Sequence, residues 1–325
     1  MVDWNPARRD VLRGSLGLAA AAATNSLAGH VAQAADGPAV RWSTGTERPR
    51  LQAPANTTDC HFHIYDSSYP VAPYATVKPP EASVEDYMGL RRRIGFTRGV
   101  LILPSTYGTD NSRYMALLPR LGGKERMRMV AVVHPDVTDA ELHAMHEAGV
   151  RGIRFNLAQA GATTIDMVEP LARRVDALGW NCQFNINGPD LVAAQDLFLR
   201  IPCKLVFDHL AHVPEPEGAN GPQFALMRRL LDKGNSWIKL SGPYYDTKVG
   251  PPTYADSVAV ARAYVKAAPE RMVWGSDWPH PTEPLDHKPD DALLFDLVSQ
   301  WAPDAATRHR ILVENPATLY DFPKG

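Results

Sequence analysis

The sequence predicts a (β/α)8 barrel built as a single domain. Three observations lead there. Eight short apolar runs recur along the chain, amphipathic stretches of helical period separate them, and several runs end in polar side chains on one face. The first run is Thr58–Ile64, followed by a helical pattern over Val84–Ile94 and a second run, Gly99–Leu103. The third, Met129–Val133, leads into helix Asp139–Ala148 and the fourth run, Gly152–Leu157. Helix Ile165–Leu178, run Asn181–Ile186, helix Leu191–Arg200 and run Lys204–His209 continue the alternation. Helix Gln223–Leu231, run Trp237–Ser241, helix Ala255–Ala268 and run Met272–Ser276 complete it, with Asp290–Trp301 and Ala305–Leu312 as closing helices. Strands that alternate with helices this way pair in parallel through crossovers. A doubly wound open sheet is the competing architecture. It is weakened because no Gly-x-Gly-x-x-Gly or phosphate loop follows an early strand.

Composition narrows the function classes. The chain has 325 residues, 45% hydrophobic and 22% charged, which excludes a disordered or fibrous protein. With 34 basic and 36 acidic residues the formal charge is −2, so neither nucleic acid nor an anionic membrane is an expected partner. Cys60, Cys182 and Cys203 cannot build a disulfide framework and fit no zinc module; buried small hydrophobe is the expected role of each.

The N-terminus reads as an export signal. Arg8 and Arg9 precede the alanine-rich stretch Gly14–Ala23, and Ala32-Gln33-Ala34 supplies a small-x-small cleavage site. The arginine pair resembles a twin-arginine signal, and the apolar segment is too short to anchor the chain in a bilayer. The expected organisation is therefore a signal over 1–34, an extended lead-in over 35–57 and the barrel over 58–325. The expected compartment is the periplasm, or the cytoplasm if the signal is not used.

Strand alternation sorts side chains by face. In the first run His61 and His63 share one face, with Cys60 and Phe62 on the other. Arg154 and Asn156 share a face in the fourth run, as do Gln183, Asn185 and Asn187 in the fifth. His209 ends the sixth run and Asp277 follows the eighth. A closed barrel gathers these ends at one mouth, where active sites of this architecture lie. Three imidazoles and a carboxylate suit two chemistries. They can hold one zinc-like ion that activates water, or Asp277 can act as general base while the imidazoles polarise a carbonyl. Ordinary barrel-interior histidines are the bland alternative, and for Arg154 it is a structural ion pair. His134 and His212 are either supports behind the site or surface histidines, His280 can hydrogen-bond near the mouth, and Tyr65 and Tyr69 can wall it.

Several motifs resemble the amidohydrolase superfamily. They are Thr58-Asp59-Cys60-His61-Phe62-His63, Gly152-Ile153-Arg154-Phe155-Asn156, Asp208-His209, Lys239-Leu240-Ser241-Gly242-Pro243-Tyr244, Trp274-Gly275-Ser276-Asp277-Trp278-Pro279-His280 and Asn315-Pro316-Ala317-Thr318-Leu319-Tyr320. Within it they are similar to the branch of 2-pyrone-4,6-dicarboxylate lactonase and related lactone hydrolases. The resemblance covers roughly Thr57 to the C-terminus. It implies a distorted barrel that hydrolyses a cyclic ester. Asp277 would deprotonate water, while His61, His63 and His209 would polarise the carbonyl or, with Asp277, bind one divalent metal, zinc foremost. Arg154 would clamp a substrate carboxylate, and Ser105 matches a serine that contacts substrate.

The departures shape the expected substrate. Strand four carries no lysine, so no binuclear metal centre is expected. Two arginines that meet a dicarboxylate in the branch fall at Ala160 and Tyr245 here. Tyr244, Tyr245, Asn156 and Asn185 suggest a more neutral, hydrogen-bonding pocket for another small lactone, such as a muconolactone, a sulfomuconolactone or a sugar-acid lactone. A metal-dependent decarboxylase of an aromatic or enoic acid, a lactone isomerase and an exported small-molecule binding protein are the alternatives. Oligomeric state is not legible.

Overall fold

The computed structural model describes residues 39–159 and 161–323. The expected signal over 1–34 and Ala160 lie outside the described residues. Eight strands form one parallel sheet in chain order: β1 Thr58–Phe62, β2 Arg98–Ile102, β3 Met127–Ala131, β4 Val150–Asn156, β5 Asn181–Asn185, β6 Lys204–Phe207, β7 Ser236–Leu240 and β8 Met272–Trp274. β8 is short, and the sheet closes on β1 beyond its end. Asp277 N donates to His61 O at 2.8 Å and His63 N to Trp278 O at 2.9 Å. This seam sets the catalytic candidates of the first and last strands side by side. The result is the distorted (β/α)8 barrel expected from the sequence.

Helices cover the outside. α1 (Val84–Ile94) follows β1 and starts from a capping box between Ser83 and Asp86; it stops at Gly95, whose φ of 98° suits glycine. Two single-turn helices, α2 (Ser112–Met115) and α3 (Leu118–Leu121), lie between β2 and β3 where no helix was expected. α4 (Asp139–Ala148) carries a second capping box, Thr138 with Glu141. α5 (Val168–Asp176) follows β4. The single helix expected over Leu191–Arg200 is two, α6 (Gly188–Ala193) and α7 (Gln195–Arg200), because the backbone leaves the helical region at Ala194. α8 (Pro222–Asp232), α9 (Ala255–Ala267), α10 (Asp291–Trp301), α11 (Ala305–His309) and α12 (Asn315–Tyr320) complete the shell.

β3 and β4 each begin two residues before the apolar runs that signalled them. The early residues include Arg128 and Arg151, whose guanidinium groups bond the C-terminal segment. Arg128 Nε donates to Tyr320 O at 3.0 Å, and Arg151 Nε to Asp321 Oδ2 at 3.2 Å. An apolar criterion cannot find a strand start that is held by guanidinium hydrogen bonds.

The interior divides along the barrel axis. At the N-terminal end, Cys60, Val100, Ile102, Val130, Val206, Trp237 and Val273 pack on Leu319, Tyr320 and Phe322, which plug the base. Each large apolar side chain buried this way stabilises the fold by about 1.5–3 kcal/mol. At the C-terminal end the interior turns polar. Cys60 corrects the expected strand faces: it belongs to the barrel interior, while Phe62 stacks outside on Tyr87 with ring centroids 3.6 Å apart. The register of β1 on β2 slips between Asp59 and Phe62, and this bulge lets Cys60 and His61 both face inward.

Candidate active site

The mouth is built from strand ends and the backbone just past them. Gly275 permits the closure, since a Cβ there would stand 2.7 Å from His61 Cβ. The buried Asp59 carboxylate staples the seam by accepting from Ser276 N at 2.9 Å, Ser276 Oγ at 2.7 Å, His61 N at 3.1 Å and Tyr87 Oη at 3.1 Å. Burial pushes its carboxyl up to about 6, against these bonds, which favour the anion. After β6 the chain makes a left-handed turn, with φ of 50°, 56°, 57° and 48° at His209, Leu210, Ala211 and His212. Asp277 and His280 are left-handed too, at 61° and 56°. Such backbone costs about 1–2 kcal/mol per residue and persists where the surroundings over-determine it.

A row of hydrogen bonds on the floor of the mouth fixes the imidazoles. His63 Nδ1 lies 2.8 Å from Ile102 O, which can only accept, so Nδ1 carries the hydrogen and Nε2 a lone pair. His61 Nε2 stands 3.2 Å from that lone pair and donates to it. Lys239 Nζ then donates to His61 Nδ1 at 3.0 Å and to Gln183 Oε1 at 2.6 Å. The same ammonium lies 3.1 Å from Asp208 Oδ1, and Arg154 Nε donates to Asp208 Oδ2 at 3.0 Å. Burial alone would raise the Asp208 carboxyl, but Lys239, His61 and Arg154 hold it well below the usual carboxylate range. Burial lowers His61, His63 and His209, and neighbouring cationic groups add to this, so all three favour the neutral imidazole.

Asp277 stands over this floor. Its Oδ2 accepts from Tyr244 Oη at 2.7 Å and Tyr245 Oη at 3.1 Å. Its Oδ1 is buried without a hydrogen-bond partner among the described residues. That oxygen lies 3.5 Å from His61 Nε2, 3.8 Å from His209 Nε2 and 3.9 Å from His63 Nε2. An orphaned buried carboxylate oxygen facing three imidazole nitrogens asks for a proton or a cation.

The donor set fits one divalent ion. Ligands of a tetrahedral zinc at about 2.0–2.1 Å lie about 3.3–3.4 Å apart, close to the spacings of His61, His63 and Asp277. To ligate, His61 would move its Nε2 hydrogen to Nδ1, giving up the hydrogen bond from Lys239 and turning that hydrogen to Asp208 Oδ1 at 3.4 Å. A second group, His61, Asp208 and His209, also has metal-ligand spacing, but the Lys239 ammonium already sits against His61 and Asp208.

Above lies a small cavity lined by His63, Tyr65, Ser105, Arg154, Asn156, Asn185, His209, Tyr245 and Asp277, among others. Nine of the residues expected at the site thus meet around one space. His61 lies beneath it. Tyr244 stands behind Asp277, its hydroxyl shared with His280 Nδ1 at 2.9 Å, rather than on the cavity wall. Tyr69 packs away on Tyr107. His134 bonds Ala162 O at 2.7 Å. A larger, open groove beside the cavity shares Gln159 with it and carries no imidazole. The chemistry belongs to the smaller space.

Two functional side chains escaped the sequence reading. Lys239 alternates inward with Trp237 on β7 and with Ser241 just past its end, and a lysine at such a position was a signal. Asp208 faces inward two residues after Val206, where the same alternation points to it.

Comparison with known proteins agrees with the geometry. The chain is 34% identical over 291 residues to a 2-pyrone-4,6-dicarboxylate hydrolase of Comamonas testosteroni, covering 86% of this chain and 94% of that protein. It is 34% identical to a 4-sulfomuconolactone hydrolase of Rhizobium radiobacter, covering 82% and 90%. A D-galactarolactone isomerase of Agrobacterium fabrum is 32% identical, covering 86% and 96%. Among solved structures, an apo protein of Agrobacterium tumefaciens superposes with a TM-score of 0.81 at 30% identity, covering 88% of this chain and all of that one. The model of the amidohydrolase family matches residues 58–322, and the chain belongs to that family.

Proposed function

We propose that the protein hydrolyses a small lactone. The single observation that carries this reading is the unpartnered, buried Oδ1 of Asp277, poised over neutral imidazoles in a cavity with one guanidinium. Oδ1 takes a proton from water, and the water oxygen attacks the lactone carbonyl carbon. The Tyr244 and Tyr245 hydroxyls fix the carboxylate through Oδ2. His209 can meet the developing oxyanion, because Ser241 Oγ, 3.1 Å from its Nδ1, can donate there and leave a hydrogen on Nε2. His63 presents a lone pair instead and does not polarise a carbonyl in this state. When the ring C–O bond breaks, Asp277 returns its proton to the leaving oxygen. The product is a hydroxy acid, which ionises and releases one proton.

A divalent ion held by His61, His63 and Asp277 would polarise the carbonyl and acidify water. Arg154 spends only Nε on Asp208, and neither Nη is hydrogen-bonded among the described residues, which supports a carboxylate clamp. The substrate reading is a muconolactone, sulfomuconolactone or sugar-acid lactone, in line with the relatives. The isomerase among them supports a second reading, in which Asp277 moves a proton on the substrate without water. A lactone panel followed by proton release near neutral pH separates the two: hydrolysis liberates acid and isomerisation does not. Decarboxylation would release carbon dioxide instead, and a binding protein would turn over nothing. Elemental analysis of protein purified without chelator tests the metal. Export through the arginine-pair signal is also part of the proposal; fractionation of cells expressing the whole chain and an Arg8→Lys, Arg9→Lys variant tests it.

A further inference from the structure

One rim of the cavity is a chain of hydrogen bonds that runs in a single direction. His212, the last residue of the left-handed turn, lies with Nδ1 3.1 Å from Asp246 Oδ2 and Nε2 2.7 Å from Asn185 Oδ1. Asn185 Nδ2 donates to Asn156 Oδ1 at 3.0 Å, and Asn156 Nδ2 donates to Ser105 Oγ at 3.2 Å. Asn185 turns its Oδ1, which can only accept, to His212 Nε2, so that nitrogen carries the hydrogen and donates. Every later group passes the same polarity on. One lone pair of Ser105 is occupied from behind, and its own hydrogen is left to point at a ligand.

Resting on the lactonase reading, we infer that His212 and Asp246 are positioning residues that hold Ser105 as a hydrogen-bond donor beside Arg154, giving the cavity a seat for one carboxylate of the substrate. Reversal of the chain would make Ser105 donate to Asn156 and present a lone pair, which repels a carboxylate. The seat takes a lactone carrying a single carboxylate. Among the described residues a second carboxylate finds no further arginine on the cavity wall, and Tyr245 occupies one of the two positions where the related branch has one.

The test uses muconolactone and its methyl ester with the full chain. His212→Phe and Ser105→Ala are each expected to raise KM for the acid about tenfold, the cost of one charge-assisted hydrogen bond, with kcat within about twofold. The ester's KM should stay within about twofold. The double variant should lose no more than either single one, because both cut the same chain. Asp246→Asn, whose amide nitrogen can donate to Nδ1 and leave the hydrogen on Nε2, should stay within about threefold of the parent. If His212→Phe fails to fold, Asp246→Leu cuts the chain from its outer end with the same expected result. Additive losses in the double variant, or equal losses on acid and ester, would overturn the inference. If muconolactone binds by calorimetry but is not opened, the hydrolysis reading fails while the same cycle, read as affinity, still decides this one. If the parent binds acid and ester equally, the seat itself is wrong.

Discussion

The two ends of the barrel interior solve opposite problems. The base is apolar and closed: Tyr320 and Phe322 fill it, and the Tyr320 hydroxyl accepts from Gln183 Nε2 at 3.0 Å. The mouth is polar and deliberately incomplete, with Asp277 Oδ1 left without a partner. Between them, Lys239 and Arg154 pair with Asp208, and Gln183 accepts from Lys239, forming a polar floor. The contrast teaches that stability and chemistry are separated along one axis. Whatever orients the mouth must be anchored in the floor rather than in the base.

Four experiments break or sharpen that contrast. The largest effect is expected at the mouth: Asp277→Asn removes the proton acceptor and should lower kcat about 10³-fold, with unfolding by urea little changed. The base should behave in reverse. Tyr320→Ala opens a cavity and should cost about 3–5 kcal/mol in denaturant midpoints, while the folded fraction keeps its kcat. The floor couples the two. Lys239→Met strips a buried cation from Asp208 and a donor from His61, and should cost about 3 kcal/mol of stability together with about tenfold in kcat. A loss of stability alone would mean that the floor does not orient the imidazoles.

The smallest effect is a pH slope. His61, His63 and His209 hold their protons less tightly when folded than the usual 6.5 of the unfolded chain. Acid therefore binds the unfolded state, and the stability these groups supply above about pH 6.5 is lost as pH falls through and below it. Each contributes a slope of at most about 1.4 kcal/mol per pH unit. Thermal midpoints measured in chelator from pH 8 to 5 should fall, and His63→Gln should flatten the slope.

Much of this was legible from residues alone. Regular alternation of short apolar runs with amphipathic stretches is a local property, so the strands and the main helices could be read without tertiary information. His61, His63, His209 and Asp277 could be gathered because a barrel obliges strand ends to converge. Strand starts at Arg128 and Arg151 were missed because guanidinium hydrogen bonds to the C-terminal segment, not hydrophobicity, hold them. Cys60 was assigned to the wrong face because a bulge breaks the period of two, and a bulge is a pairing event between strands.

The sequence by itself determined the architecture, the set of chemical groups at the mouth and the lack of a lysine on β4. Only the tertiary structure decided what each group can do. A tautomer is fixed by the partner on the far side of the ring: Ile102 O turns His63 into a lone pair, and Lys239 turns His61 into a donor. Those partners lie 39 and 178 residues away in the chain, a distance that no local pattern spans and that barrel closure reduces to about 3 Å.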